Sequence, residues 1–350
     1  MTSKMLLYGA TGYVGKLIAE SAKKNGLELI LAGRNQSSLA AQANQLSLEF
    51  RVFGLDDENT IAQSLRDITA VLNCAGPFSK TAKPLVDVCL KTKTHYLDIA
   101  GEVPEFEALA ARDAEAKRTG IMLLPGVGFG VVPTDCLAVY LKQKLPTANR
   151  LMLAYETQGG VSQGTANIVL PNLHHMGVVR ENSELIPARP ALKSYKIDLG
   201  AGLVTAVTNP WRADLVSAFY STGIPNIETY TVFPEPVRFL METSQYLAWL
   251  LNSSLFQSVL ARLIKTLPLG PSEEERANGK TRVIGVAEDQ TNRKVTARLE
   301  GPEAYDFTAL AAVVIMKHIV NGKTHSGFQT PASVYGANLV LEIPGVKRFD

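Results

Sequence analysis

Cysteine is scarce in this chain of 350 residues: the three present, Cys74, Cys89 and Cys136, are odd in number and lack CxxC spacing. That argues against a disulfide framework and a zinc ribbon, and a chain this long needs neither staple to bury a core. A reduced, cytoplasmic setting is expected. Long apolar runs are also lacking, since only Met5 to Tyr8 precede the first glycine motif and the longest later run is Ala309 to Met316. A secretory core takes about 7 to 15 apolar residues and a bilayer span about 18 to 20, so neither an export signal nor a transmembrane segment is expected. Neither sign of charge dominates, because 35 Lys and Arg stand against 33 Asp and Glu for a formal net charge of +2. Without a basic footprint, nucleic acid is not expected as a partner. His174-His175 stand without HxxxH, HExxH or an acid triad, so no metal site is expected.

What the first third does contain is a regular alternation. Apolar runs at Met5–Tyr8, Glu28–Ala32, Val52–Phe53, Ala70–Ala75, His95–Ile99 and Ile121–Leu124 are separated by helical stretches, among them Tyr13–Asn25 with Gly26 as its stop and Ser37–Leu46. Pro84 and Pro104 are expected near the starts of two further helices, where a missing N–H costs little. This rhythm predicts an α/β chain with an N-terminal Rossmann doubly wound parallel sheet. Beyond about residue 150 the punctuation becomes irregular. Pro234–Leu269 reads as helical and Arg282–Glu288 with Lys294–Leu299 as paired strands, which predicts a C-terminal α+β domain for substrate and dimerisation. The division expected is 1–135 for the dinucleotide domain, completed by a helix from Thr330 to Leu341 within 327–350, and 136–326 for the second domain.

Gly9-Ala10-Thr11-Gly12-Tyr13-Val14-Gly15 follows the first strand and opens the first helix. Gly9 suits the tight turn, Gly12 the close approach of backbone to a pyrophosphate and Gly15 the packing of helix on strand, with free N–H groups at the helix start for the phosphates. The end of the second strand, Leu31 to Ser38, holds no carboxylate for ribose hydroxyls; Arg34 instead offers a planar fork for a 2′-phosphate, with Asn35 and Ser38 beside it. NADP(H) is therefore expected over NAD(H). Cys74-Ala75-Gly76-Pro77, closing the fourth strand, suits a loop beside the nicotinamide, and Asp56 after the third strand suits the adenine border.

Together with Ala32-Gly33-Arg34, Gly76-Pro77-Phe78, Thr94 to Asp98, Gly101-Glu102 and Gly128 to Asp135, the glycine motif resembles the saccharopine dehydrogenase-like oxidoreductase family. The resemblance continues through Ser162 to Ala166, Gly270 to Arg276, Gly301 to Tyr305 and Gly327 to Ala332. The stretch Gly270-Pro271-Ser272-Glu273-Glu274-Glu275-Arg276 and the Thr330-Pro331-Ala332 ending favour its trans-acting enoyl reductase-like branch. One departure is Gly130, where the family often carries an acid. The resemblance implies an NADP(H)-dependent reductase of a small molecule but leaves the reduced bond open.

Hydride transfer to an activated C=C or C=N bond also needs a managed proton. His95, Tyr96, Asp98 and Glu102 cluster at the fifth strand, and alternation puts Tyr96 and Asp98 on one face; these two are the expected catalytic residues, the alternative for Asp98 being that it caps the helix near Pro104 or binds loop amides. Ser162 and Thr165 are expected to cap a helix or meet the substrate. Tyr140 and Lys144 fit the YxxxK spacing of short-chain dehydrogenases, but Tyr140 reads as a core-facing residue on an amphipathic helix. Two alternatives stand beside the reductase: a semialdehyde dehydrogenase-like enzyme using Cys136 near a helix start, and a non-catalytic NADP(H)-sensing or scaffolding protein. Phe239–Leu267, with Tyr246, Trp249, Arg262 and Lys265, allows peripheral lipid contact, and a homodimer is the expected assembly.

Overall fold

The computed structural model describes residues 4–160, 162–172, 175–200, 202–251 and 253–350. They fall into two units, Met1–Cys136 with Tyr305–Pro344, and Leu137–Ala304 with Gly345–Asp350. The first unit opens with β1 (Met5–Tyr8), α1 (Tyr13–Lys24), β2 (Leu29–Gly33), α2 (Gln36–Leu46), β3 (Phe50–Val52) and α3 (Glu58–Leu65). It continues with β4 (Ala70–Asn73), α4 (Phe78–Thr92), β5 (His95–Asp98), α5 (Val103–Ala110), α6 (Asp113–Thr119) and β6 (Met122–Leu124), before α7 (Val132–Lys144) leads into the second unit.

The second unit holds β7 (Arg150–Gln158), α8 (Gln163–Asn172), β8 (Gly177–Glu181), β9 (Glu184–Ala188), β10 (Ser194–Asp198), β11 (Leu203–Thr208), α9 (Asp214–Thr222) and β12 (Asn226–Thr231). Next come α10 (Glu235–Leu251), α11 (Ser254–Thr266), α12 (Glu273–Asn278), β13 (Lys280–Glu288) and β14 (Lys294–Pro302). The chain then returns to the first unit with α13 (Ala304–Val320), β15 (Gly327–Phe328), α14 (Pro331–Tyr335) and a single 3-10 turn at Leu339–Glu342; β16 (Lys347–Phe349) belongs to the second.

Among the described residues the first unit's sheet runs β15-β6-β5-β4-β1-β2-β3, and every pair in it is parallel. Strand order reverses between β1 and β4, which is where an open α/β sheet offers a crevice at its carboxyl edge. All residues of β1, β2 and β4 are buried, as strands covered on both faces by crossover helices must be. On α1 the buried residues Gly15, Ile18, Ala19 and Ala22 repeat at helical spacing, and Lys23 and Lys24 complement its carboxyl end. Gly26, at φ 69°, ends that helix as the sequence suggests.

The second unit's sheet runs β10-β11-β12-β7-β13-β14-β16, with β8 joining β12 and β9. Its central hairpin pairs Glu288 with Lys294 and Lys280 with Pro302, as the two apolar runs imply. Asp289 fixes the turn, its Oδ1 accepting from the Thr291 and Arg293 amides at 2.9 and 3.1 Å. Tyr230, Ala154, Ala206, Leu199 and Ile284 form a core on this sheet.

Several expectations are corrected. Pro84 lies in the interior of α4 rather than near its start, because that helix begins earlier, behind Pro77. The continuous helix expected from Thr330 to Leu341 is broken at Gly336, whose φ of 80° stops α14 after five residues. Residues 305–326, assigned to the second domain from sequence, lie in the first unit. Pro234–Leu269 is two helices, the second capped by Ser253 Oγ, which accepts from the Phe256 amide at 3.2 Å. Phe239, Tyr246, Leu255 and Leu263 on these helices are exposed, and no described helix is long and apolar enough to cross a membrane.

Candidate dinucleotide and active site

The turn after β1 is held by backbone alone. The Gly9 and Ala10 amides donate to the Ala32 carbonyl at 2.9 and 3.1 Å, and the Gly12 amide donates to the Gly9 carbonyl at 3.0 Å. Gly9 sits at φ 84°, and a Cβ there would meet the Ala75 nitrogen at 2.8 Å. The glycine turn and the loop after β4 are thus in contact across the switch point. A Cβ on Gly15 would stand 2.3 Å from the Gly9 carbonyl oxygen. No side chain caps α1 at Gly12, and no acid occupies its first turn. The N–H groups and dipole of the helix start therefore remain available to a diphosphate, and Thr11, Tyr13 and Val14, partly exposed, surround it. The Tyr13 ring meets Tyr305 edge-on at 5.3 Å.

Arg34 follows β2, is exposed and makes no ion pair among the described residues. The Asn35 side chain is engaged in the helix start: its Oδ1 caps α2, accepting from the Ser38 amide at 3.0 Å and the Ser37 hydroxyl at 2.8 Å. Ser38 is therefore tied by its amide to the cap. Asp56 is exposed in the loop after β3, and both it and Arg34 act on the hydroxyl of Tyr8. Burial raises the Tyr8 pKa, Arg34 lowers it and Asp56 raises it again. The stretch around Arg34 lacks acids along the chain, yet folding brings Asp56 into its neighbourhood.

Beneath the loops after β4 and β5 lies a buried polar group. Asn73 Oδ1 accepts from the Ala75 amide at 3.0 Å, while its Nδ2 donates to Thr81 Oγ1 at 3.0 Å and to the Tyr96 hydroxyl at 3.1 Å. The Thr81 hydroxyl donates to the Ala75 carbonyl at 2.6 Å. Asp98 Oδ1 accepts from the Ala100 and Gly126 amides at 2.9 and 3.1 Å. Tyr96 and Asp98 are both 0% exposed. They share one face, as alternation implies, but that face is inside the sheet edge, where Asp98 anchors loop amides rather than meeting substrate. His95, from the other face, accepts at Nδ1 from the Met122 amide at 2.9 Å. Glu102 Oε2 accepts from the Gly101 amide at 2.8 Å. Cys74, Ala75, Gly76 and Pro77 arch over this group, and open space surrounds Gly76 on its Cβ side. Thr81 was not singled out from sequence, and Asn73 only as the start of the stretch to Phe78 that closes the fourth strand. An asparagine closing a strand and followed by three small residues was the available signal.

Burial pushes Asp98 up to about 7, a nearby Glu102 adds to the rise, and the Ala100 and Gly126 amides with the Tyr96 hydroxyl oppose it. The folded protein therefore holds this proton more tightly than the unfolded chain. Its contribution to stability is complete below the ordinary aspartate pKa and is lost as pH rises toward 7, on the order of 4 kcal/mol at most. Asp98→Asn, whose Oδ1 accepts the same amides, removes that slope. Urea unfolding at about pH 5 and pH 8 should show the variant gaining on wild type at the higher pH. An equal difference at both values would exclude Asp98 as the titrating group.

The remaining candidates separate. Cys136 is fully buried in α7, and its thiol donates to the Gly336 carbonyl at 3.8 Å. Such a thiol is a packing group, not a nucleophile presented to an aldehyde. Cys136→Ala should lower the melting temperature by the equivalent of about 1 kcal/mol, with NADPH titration and NADPH consumption unchanged. Tyr140 donates to Asp350 at 2.6 Å and lies under the Arg348 guanidinium at 3.7 Å, with Lys144 3.5 Å from Asp350. The YxxxK pair thus fastens the chain beyond β16 to α7. Ser162 is buried just before α8, and the Thr165 side chain and His174 lie outside the described residues. No cluster of His, Cys, Asp or Glu that could hold a metal occurs among the described residues.

Residues 5–124 match the family described as the saccharopine dehydrogenase NADP binding domain. A Mycobacterium tuberculosis protein described as a trans-acting enoyl reductase is 32% identical over 145 residues, covering 39% of this chain and 34% of that protein. The saccharopine dehydrogenase-like oxidoreductase of Bos taurus is 24% identical over 180 residues, 46% of this chain and 41% of its own length. A mitochondrial saccharopine dehydrogenase-like oxidoreductase of Arabidopsis thaliana is 32% identical over 149 residues, 37% of this chain and 33% of its own. The matches thus span a third to two-fifths of these relatives. Among solved structures, saccharopine dehydrogenase (L-Glu forming) of Saccharomyces cerevisiae aligns over 99% of both chains with a TM-score of 0.68 at 12% identity. Residues 5–124 are thus similar to the saccharopine dehydrogenase NADP binding domain, and the chain shares the fold of saccharopine dehydrogenase.

Proposed function

We propose that this chain is an NADP(H)-dependent oxidoreductase that reduces an activated C=C or C=N bond of a small molecule. The observation that carries the reading is the pairing of an uncapped, acid-free helix start at Gly12 with an exposed Arg34 that has no ion-pair partner among the described residues. The first suits the diphosphate and the second a 2′-phosphate. Bound NADPH supplies the hydride. The chain's own residues bind and orient it: Gly9, Gly12 and Gly15 admit the diphosphate to the backbone, Arg34 holds the 2′-phosphate, and Asp56 borders the adenine side. Ala75, Gly76 and Pro77 border the nicotinamide. The likeness to a protein described as a trans-acting enoyl reductase supports a C=C acceptor.

NADPH consumption should be followed against two families of acceptor, α,β-unsaturated carbonyls and imines formed from an amine and an aldehyde. Turnover with either family is the expected result. Tight NADPH binding with no consumption across both would replace the enzyme with a nucleotide-sensing protein.

A further inference from the structure

A dinucleotide lies across the switch point of such a sheet, one mononucleotide on each side. On the β2–β3 side the binding groups are set locally: Arg34 follows its own strand, and the neighbouring Asn35 is spent on capping α2. The β4–β6 side is built differently. There the loop backbones are fastened from below by side chains that are fully buried at Asn73, Tyr96 and Asp98 and half-buried at Thr81. Asn73 and Thr81 hold both the amide and the carbonyl of Ala75. Asp98 draws the Ala100 and Gly126 amides onto one oxygen, which ties the loop after β5 to the loop after β6. The Asp98 main-chain carbonyl accepts from the Val127 amide at 2.8 Å, a second tie between the same loops. The Tyr96 hydroxyl joins the two anchors: it accepts from Asn73 and hydrogen-bonds the Asp98 carboxyl. A fully buried carboxyl costs free energy that a hydrophobic residue would not, so stability is a poor reason for its presence.

We propose that Asp98 and Thr81, linked through Asn73 and Tyr96, are positioning residues for the nicotinamide half of the site and leave the adenosine half to Gly9–Gly15 and Arg34. The inference rests on the NADP(H) reading above. It assigns no proton transfer to Asp98. Its action is through the Ala75, Ala100 and Gly126 backbone, which defines the shape of the crevice where a nicotinamide must lie flat for hydride transfer.

Two ligands separate the halves. NADPH spans both, whereas adenosine 2′,5′-bisphosphate carries the 2′-phosphate and one diphosphate-side phosphate but no nicotinamide. Calorimetric titration of wild type, Asp98→Ala, Asp98→Asn and Thr81→Val with each ligand is the test, together with the emission of bound NADPH, which reports the nicotinamide's surroundings. Asp98→Ala and Thr81→Val should each weaken NADPH about tenfold and return its emission toward that of free NADPH, with bisphosphate affinity held within about twofold. Asp98→Asn should restore both readouts, because its Oδ1 can accept the same two amides. Thr81 is only partly buried, so its variant stays informative if Asp98→Ala does not fold. Equal weakening of both ligands, or unchanged NADPH binding and emission in the folded variants, overturns the proposal. Wild type binding neither ligand removes the NADP(H) reading itself, a result distinct from either of those.

Discussion

Arg34→Ala should lower NADPH affinity by one to two decades and leave NADH affinity where it was. The loss follows from one charge-assisted hydrogen-bonding group to phosphate, about 1.5 to 3 kcal/mol. The experiment is clean because Arg34 is exposed and gives up no ion pair among the described residues, so the variant should fold and melt as wild type does. Arg34→Lys should recover part of the affinity, since a point charge replaces the attraction but not the planar fork. Asp56 gives the prediction a second arm. Its carboxylate shares the Tyr8 neighbourhood with Arg34, so Asp56→Asn should tighten NADPH modestly by removing a like charge from the phosphate's surroundings. Fluorescence titration of the three variants against both nucleotides decides it. Equal loss of NADPH and NADH in Arg34→Ala would mean that Arg34 serves the adenosine generally and does not select the 2′-phosphate.

Gly15→Ala is expected to have the largest effect on stability. An added Cβ would lie 2.3 Å from the Gly9 carbonyl oxygen and 2.9 Å from the Ala10 Cα and carbonyl oxygen. These are backbone atoms of the turn itself and have no rotamer in which to yield. Relief requires α1 to lift from the turn, which both loosens the Ile18, Ala19 and Ala22 packing and moves the N–H groups that face the diphosphate. Overpacking of this kind costs about 3 kcal/mol. For a unit of this size that is a fall of roughly 6 to 12 °C in its melting transition, accompanied by loss of NADPH binding. Gly76→Ala is the matched control, because a Cβ there meets nothing within 4 Å and its backbone is not left-handed. Its melting temperature should not move. Calorimetric melting of both variants checks the pair, and a Gly15→Ala protein that melts with wild type would show that the turn can shift without cost.

Some of the family likeness that the sequence displays belongs to folding rather than chemistry. In the stretch from Gly270 to Arg276, Ser272 Oγ accepts from the Glu275 amide at 3.2 Å while the Ser272 amide donates to Glu275 Oε2 at 2.7 Å, a reciprocal cap on α12. Thr330 and Ser333 make the same device at the start of α14. Both stretches entered the sequence reading only as family likeness, although the signal of a cap is local, needing residues three apart.

That range limit separates what the sequence determined from what the tertiary structure decided. The glycine turn, the parallel strands through β6, the α1 stop at Gly26 and the position of Arg34 at the end of β2 follow from local periodicity and turn chemistry, which act over a few residues and are written in order along the chain. The rest depends on partners distant in sequence. Asn73 meets Tyr96 across neighbouring strands, Asp98 meets Gly126, Asp56 reaches the surroundings of Arg34, and Gly327–Phe328 pairs with β6 about 200 residues after it. No local pattern distinguishes an aspartate that will hold two loop amides from one that will face a substrate. Burial decides it, and burial is a property of the packed sheet.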